Sequence, residues 1–330
     1  MYSHQVDSIR AIRIGQSPML LQLIQGAGKT AIALCSMPPP ILFLCPPHVV
    51  SAIRAETVRL RMASSVTVVS YAVASRWATL SPHTSLILDE FHLISAKVQA
   101  LVTNFDHVLA LSATPRVTPP KGWPTVSIIT APLDPRFQQV VSRVRYETQP
   151  WSMPDVTRSA YDSTMTSIRS SQPRDRFHGI MRARAFLSLS KAHKVAAQLI
   201  SGSAPSHKIL IVSEFAPTLV AIAALLPPSS YVLAMNSASV ERFQSSSRQF
   251  LLSPLRYTSH GINLGYLDGI ILIESTYRQH AIKHLIGRLH RLGSSPSSGA
   301  MRQLVVAIYY ADSIECALKY TGDELNFTFS

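Results

Sequence analysis

Short apolar runs of strand length punctuate the chain and alternate with stretches whose apolar residues recur at helical spacing. In the first part the runs are Met19 to Ile24, Ile41 to Cys45, Val66 to Ser70, Leu86 to Leu88, Val108 to Leu111 and Val126 to Ile129. Near-continuous apolar runs are what strands covered on both faces require, so the rhythm predicts a parallel sheet flanked by helices. It breaks from about Pro132 to Arg176, a segment rich in Pro, Ser and Arg. It resumes with Ile209 to Val212, Tyr231 to Ala234, Phe250 to Ser253, Ile270 to Ile273 and Leu304 to Ile308. Two α/β domains are expected, residues 1–132 and 133–330, the second opening with a linker or small helical segment. No run approaches the roughly 18 apolar residues that span a bilayer, and the start has no signal-peptide pattern, so no membrane segment is expected.

Composition narrows the class. With 330 residues, 47% hydrophobic and 15% charged, disorder is excluded as the main state. Lys and Arg number 31 against 18 Asp and Glu, a net charge of +13 that suits a polyanionic partner such as nucleic acid or belongs to a merely basic soluble protein. Cys35, Cys45 and Cys316 show no C-x-x-C spacing, so neither a disulfide framework nor a zinc site is suggested, and a reducing intracellular compartment fits.

Gln25-Gly26-Ala27-Gly28-Lys29-Thr30 lies between a predicted strand and a predicted helix, the setting of a phosphate-binding loop. Glycines let backbone N–H groups close around phosphates and the helix N-terminus adds positive potential. Lys29 would reach the β- and γ-phosphates, and the Thr30 hydroxyl would ligate Mg²⁺. Leu23 stands where the full pattern has another glycine, and a plain strand-to-helix turn is the alternative. Leu86-Ile87-Leu88-Asp89-Glu90-Phe91-His92 ends an apolar strand in two adjacent acids, costly to keep there without a partner. A metal–phosphate partner fits, Asp89 holding the Mg²⁺ complex and Glu90 orienting and deprotonating the attacking water. The alternative is a pair of acids complementing a helix N-terminus near His92.

In order and content these segments, followed by Leu111-Ser112-Ala113-Thr114-Pro115, resemble the nucleotide-binding half of a superfamily 2 helicase of the DExH type. The resemblance implies ATP and Mg²⁺ as cofactors, with His92, Ser112 and Thr114 coupling the ATP site to nucleic acid. His4-Gln5-Val6 is similar to the family's adenine-reading segment, Gln5 supplying the amide. Pro46-Pro47-His48 and Ser70-Tyr71 fall where the family contacts the nucleic-acid backbone, with ordinary strand-end loops as the alternative. The same resemblance places Ser213 and Ser253 on the nucleic-acid path.

In the second half, Gly261-Ile262-Asn263-Leu264, then Asp268 and the strand Gly269 to Glu274, resemble helicase motif V and put Gly261 and Asp268 at the nucleotide. His284-Leu285-Ile286-Gly287-Arg288-Leu289-His290-Arg291-Leu292-Gly293 resembles motif VI. His284, Arg288 and Arg291 stand at i, i+4 and i+7, while Ile282, Ile286 and Leu289 share another helix face, so one face is expected to pack and the other to reach out. The resemblance makes Arg288 and Arg291 arginine fingers, and His284, where the family usually has Gln, a polar contact near the phosphates. A solvated basic helix face is the alternative for the two arginines.

Together with Ile41 to Pro46 and Phe250 to Ser253, these blocks are most similar to the Swi2/Snf2 group of double-stranded DNA translocases and related viral nucleoside triphosphatases. That resemblance implies two tandem RecA-like domains with an interdomain ATP cleft, and an ATP hydrolase acting on nucleic acid, double-stranded DNA before RNA. It also implies viral replication, transcription or packaging proteins as partners, in the host cytoplasm or nucleus. An RNA-dependent helicase, a non-catalytic nucleic-acid-binding assembly module and a P-loop kinase are the rival readings.

Overall fold

The computed structural model describes residues 2–24, 26–74, 84–91, 94, 98, 100–113, 127–132, 134–135, 144–202, 206–234, 237–258, 264–275, 279–289 and 303–318. The chain divides into two compact units, Met1–Gln139 and Val140–Ser330.

The first unit runs α1 (Ser3–Ile14), β1 (Met19–Gln22), α2 (Lys29–Ser36), β2 (Ile41–Cys45), α3 (Val50–Arg59), β3 (Val66–Ser70), β4 (Ser85–Leu88), β5 (His107–Ser112) and β6 (Ser127–Ile129). Its strands form one sheet in the order β3-β2-β4-β5-β1-β6, every pairing parallel. Alternate residues Leu42, Leu44, Leu86, Leu88, Val108 and Ala110 share one apolar cluster with Phe91 and Val102. Their neighbours Phe43, Ile87 and Leu109 are fully buried toward the other face. Burial of both faces is the reason these strands read as unbroken apolar runs.

The second unit runs β7 (Val144–Trp151), α4 (Asp155–Ser170), α5 (Pro173–Ser190), α6 (Ala192–Gly202), β8 (Ile209–Ser213), α7 (Ala216–Leu225), β9 (Tyr231–Leu233), α8 (Ser237–Gln244), β10 (Phe250–Pro254), α9 (Leu255–Thr258), β11 (Gly269–Leu272), α10 (Gln279–Leu289), β12 (Gln303–Tyr310) and α11 (Ile314–Leu318). Its sheet is again parallel throughout, in the order β7-β12-β11-β8-β10-β9. Leu210, Val212, Leu251, Ile270, Leu272 and Val305 pack with Ile282, Leu285, Ile286 and Leu289 of α10 on one face. Ile211, Leu252, Ile273 and Ile308 pack on the other with Leu187, Val195, Leu199 and Leu219 of α5, α6 and α7.

The segment expected to be a linker or small helical piece is a strand and two long helices. β7 lies at the sheet edge and pairs with β12 from Val144↔Gln303 to Trp151↔Tyr310. Apart from Trp151 its residues are exposed or half-buried, so Val-Arg-Tyr-Glu-Thr-Gln-Pro-Trp presents no apolar run, and an edge strand tolerates Pro150. α4 and α5 form a hairpin in which Gly179 abuts Ile168; a Cβ there would lie 2.6 Å from Ile168 Cγ1.

Just past α5, Lys191 is fully buried. Its Nζ donates to both carboxylate oxygens of Glu315 at 2.7 Å and to the carbonyls of Ile273 at 2.8 Å and Ile308 at 3.4 Å. Burial pulls the ammonium's pKa down, while the Glu315 charge works against that shift. Glu315 also accepts from the Tyr310 backbone N–H at 3.0 Å, so the pair fastens α11 and the end of β12 to the base of α5.

Candidate nucleotide and nucleic-acid site

β4, β5 and β1 are neighbours in the first sheet, so the segments that follow them emerge side by side at its carboxyl edge. Open parallel sheets bind ligands there. β1 leads through Leu23 and Ile24 into a loop in which Gly26 and Gly28 have φ of +83° and +88°, left-handed conformations that side chains resist. A Cβ on Gly28 would also collide with Gln5 Nε2. Lys29 is the first residue of α2, and its ammonium folds back on the loop, donating to the carbonyls of Leu23 at 3.0 Å and Ile24 at 3.2 Å. Glycines that open the loop, a helix N-terminus behind it and an ammonium over it fit a phosphate chain.

His4, which sequence reasoning passed over in favour of its neighbour, is completely buried beneath this loop. Its Nε2 lies 3.1 Å from the carbonyl of Ala27, and its Nδ1 accepts from the Asp134 backbone N–H at 3.3 Å. A ring carrying its proton on Nε2 satisfies both bonds. Asp134 Oδ2 in turn accepts from the N–H and hydroxyl of Ser3 at 3.1 and 3.2 Å, holding the start of α1. Gln5 Nε2 donates to the same Ala27 carbonyl at 3.1 Å, and its Oε1 accepts from Tyr2 N. One signal in the sequence could have found His4: a histidine on the apolar face of α1, four residues before Ser8 and in register with Ile12, points into the core.

The acids after β4 are held from beneath. Asp89 N–H donates to Leu44 O at 2.9 Å, Glu90 N–H to Asp89 Oδ1 at 3.1 Å, and the Tyr71 hydroxyl to the Asp89 carbonyl. Glu90 is 8% exposed and has φ of +51°, an uncommon conformation for a residue with a side chain and one found at functional sites. Burial, then the Asp89 charge, push the Tyr71 phenol far above its usual range and the Cys45 thiol to about 12. Both therefore stay neutral beside the acidic loop. Pro46 is buried and Ser70 half-buried at the ends of β2 and β3 on the same edge; Ser112, at the end of β5, is fully buried. Gln25, His92, Thr114, Gly261, Arg291 and the His48 side chain lie outside the described residues.

In the second unit the carboxyl ends of β8 and β11 converge on Glu274. It accepts from Ser213 Oγ and Ser188 Oγ, each at 2.9 Å, and from the Glu214 backbone N–H. Ser213 is thus buried with its hydroxyl engaged, and Ser253 is buried with its hydroxyl on Ala234 O at 3.2 Å. Asp268 is not brought to this edge. It precedes β11, so it lies at the amino edge, where Oδ2 accepts from the Lys208 backbone N–H at 2.7 Å. α10 departs from the expected division into a packed and a projecting face: His284 is 3% exposed and Arg288 half-buried, because the helix lies deep in the apolar layer.

Burial raises the Glu274 carboxyl from 4.5 to about 7, against the opposing pull of its hydrogen bonds and of Lys191. A native pKa above the unfolded one means that the folded chain keeps a proton which the unfolded chain has released. Stability of the second unit is therefore expected to fall as pH rises from 4.5 to about 7 and to level off above that. Urea midpoints measured across this window should decline for wild type and stay flatter for Glu274→Gln. Equal slopes would assign the dependence to another group.

No protein-family model and no curated protein matches the chain. Among solved structures, the chain is similar to the helicase domain of Hef from Pyrococcus furiosus, with a TM-score of 0.61 at 13% identity, over 96% of this chain and 97% of that one. At that identity the likeness is one of fold. The chain has the α/β architecture of a helicase domain, two RecA-like parallel sheets in tandem, each flanked by helices. No helix among the described residues is long and apolar enough to cross a membrane.

Proposed function

We propose that the chain is an ATP-hydrolysing motor of the superfamily 2 type, driven along nucleic acid. One observation carries this reading: the glycine loop with Lys29, the end of β5 with Ser112, and Asp89-Glu90 leave three adjacent parallel strands at one edge. Backbone N–H groups from Gly26 to Lys29 and the Lys29 ammonium bind the triphosphate. Thr30 and Asp89 hold Mg²⁺ together with the phosphates; among the described residues no three His, Cys, Asp or Glu side chains gather to hold a metal by themselves. Bound Mg²⁺ and ATP supply an electrophilic γ-phosphoryl group. Glu90 takes the proton of the attacking water, and Arg288 and Arg291 neutralise charge developing on the phosphoryl oxygens. Ser112 links this chemistry to a polymer bound along the strand-end loops. Double-stranded DNA is the favoured track, by resemblance to the Swi2/Snf2 group, and RNA is the rival.

Steady-state ATP hydrolysis, alone and with single-stranded DNA, double-stranded DNA or RNA at two salt concentrations, tests the reading. Expected is a rate stimulated most by double-stranded DNA, with stimulation falling as salt rises. Greatest stimulation by RNA would replace the track, and an absence of any hydrolysis would sink the motor.

His4 should behave as a positioning residue for the phosphate loop. His4→Ala is expected to raise KM for ATP about tenfold, the equivalent of ~1.4 kcal/mol, with a smaller change in kcat. His4→Gln, whose amide can donate to Ala27 O and accept from Asp134 N, should recover most of the loss. If both variants behave alike, the ring serves packing alone.

A further inference from the structure

We propose that the solvent face of α5 docks a nucleic-acid strand, and that the opposite face of the same helix relays occupancy to the ends of β8 and β11. The docking half stands on its own observations, while the relay half rests on the motor reading. Arg174, His178 and Arg182 recur every four residues along α5 and are all exposed, with Phe186 and Leu189 continuing the same face at 38% and 44% exposure. Arg174 is 80% exposed, and its nearest acid, Asp175, is 3.8 Å away and the single acid in the helix sequence. At 1.5 Å per residue the basic row is about 12 Å long. One strand of a duplex presents three to four phosphates over about that distance. Phe186 and Leu189 offer apolar contact to sugars or base edges at the end of the row, a combination of basic track and apolar platform that suits a strand better than an acidic peptide.

The buried face of α5 is wired to the second sheet. Arg184 Nη2 donates to Glu214 Oε2 at 2.6 Å and to the Ser275 carbonyl at 2.7 Å. Ser188 Oγ donates to Glu274 Oε2 at 2.9 Å and lies 2.8 Å from Thr218 Oγ1. Glu214 follows β8, while Glu274 and Ser275 follow β11 and precede α10, the helix of Arg288. A strand that shifts or stiffens α5 thus acts on the end of β8 and on the segment that leads from β11 toward α10, through largely buried hydrogen bonds.

The test uses the full chain and a fluorescently labelled 20-base-pair DNA, followed by anisotropy at several salt concentrations. Arg174→Glu with Arg182→Glu is expected to raise Kd at least tenfold and to flatten the slope of log K against log salt by about 2. A control with Arg10→Glu and Arg61→Glu, which removes the same charge from exposed positions of the first unit, should bind nearly as wild type. Thermal melts of all chains separate lost binding from lost folding. Equal losses in test and control pairs, wild-type affinity in the test pair, or no binding by wild type overturns the docking face. Ser188→Ala is then expected to bind with wild-type Kd while DNA stimulation of hydrolysis falls severalfold; unchanged stimulation overturns the relay. Wild type that binds DNA through the α5 row yet never hydrolyses ATP would uphold the docking face and defeat the motor reading together with the relay.

Discussion

Glu90→Gln is expected to slow ATP hydrolysis by about a hundred- to ten-thousand-fold and to leave ATP binding within a few-fold of wild type. The amide matches the carboxylate in size, so the left-handed turn at residue 90 and the bond from its N–H to Asp89 Oδ1 can persist. It cannot take a proton from water. Asp89, anchored through its backbone to Leu44 and Tyr71, keeps its own carboxylate, so metal binding is spared. Single-turnover hydrolysis paired with equilibrium binding of a fluorescent ATP analogue resolves the two quantities. Loss of binding in parallel with loss of rate would move Glu90 from proton acceptor to ligand, and an unaltered rate would remove it from the chemistry.

Lys191→Met is expected to lower the stability of the second unit by about 3–5 kcal/mol. The substitution strands the Glu315 carboxylate, which is fully buried and would keep the Tyr310 backbone N–H as its donor in place of the ammonium. It also deprives the carbonyls of Ile273 and Ile308 of their shared donor. Adding Glu315→Leu should recover much of the loss, because a buried ion pair is worth little more than well-packed apolar groups while half of one is costly. Urea denaturation monitored by circular dichroism, fitted with separate transitions for the two units, gives the comparison. A single variant as stable as wild type would mean that water reaches the pair.

The fold was legible wherever a strand is covered on both faces. Ile41 to Cys45 and Ile209 to Val212 announce themselves because every side chain is apolar, and every such run in the first unit is a strand of its sheet. β7 escaped notice because an edge strand needs no apolar run, and its pairing with β12 spans about half the chain. α4 was hidden behind Ser, Thr and Arg that face water, its apolar positions being few and widely spaced, and α5 because its core face includes Gly179, Arg184 and Ser188 while Phe177 and Phe186 lie exposed. Lys29, Asp89 and Glu90 could be proposed from sequence because phosphate and metal chemistry favours those residue types on the loops that follow strands of a parallel sheet. His4 and Glu274 could not be ranked the same way. Their roles depend on partners 130 residues away in one case and 86 in the other, which spacing does not encode. Asp268 shows the converse: its place in a motif was readable, but which edge of the sheet it occupies follows from where the strand begins.

The strand orders carry a consequence for biogenesis. Among the described strands β1 pairs with β5 and β6, so during synthesis it has no partner until residues 107–129 have followed it. β7 waits longer still, for residues 303–310. Both halves of the nascent chain must therefore carry an unpaired strand through most of their own synthesis, an apolar one in the case of β1, since parallel pairings reward the chain only after long loops have closed. Until those pairings close, the exposed apolar surface and unpaired strand edges are where the nascent chain is most prone to aggregate.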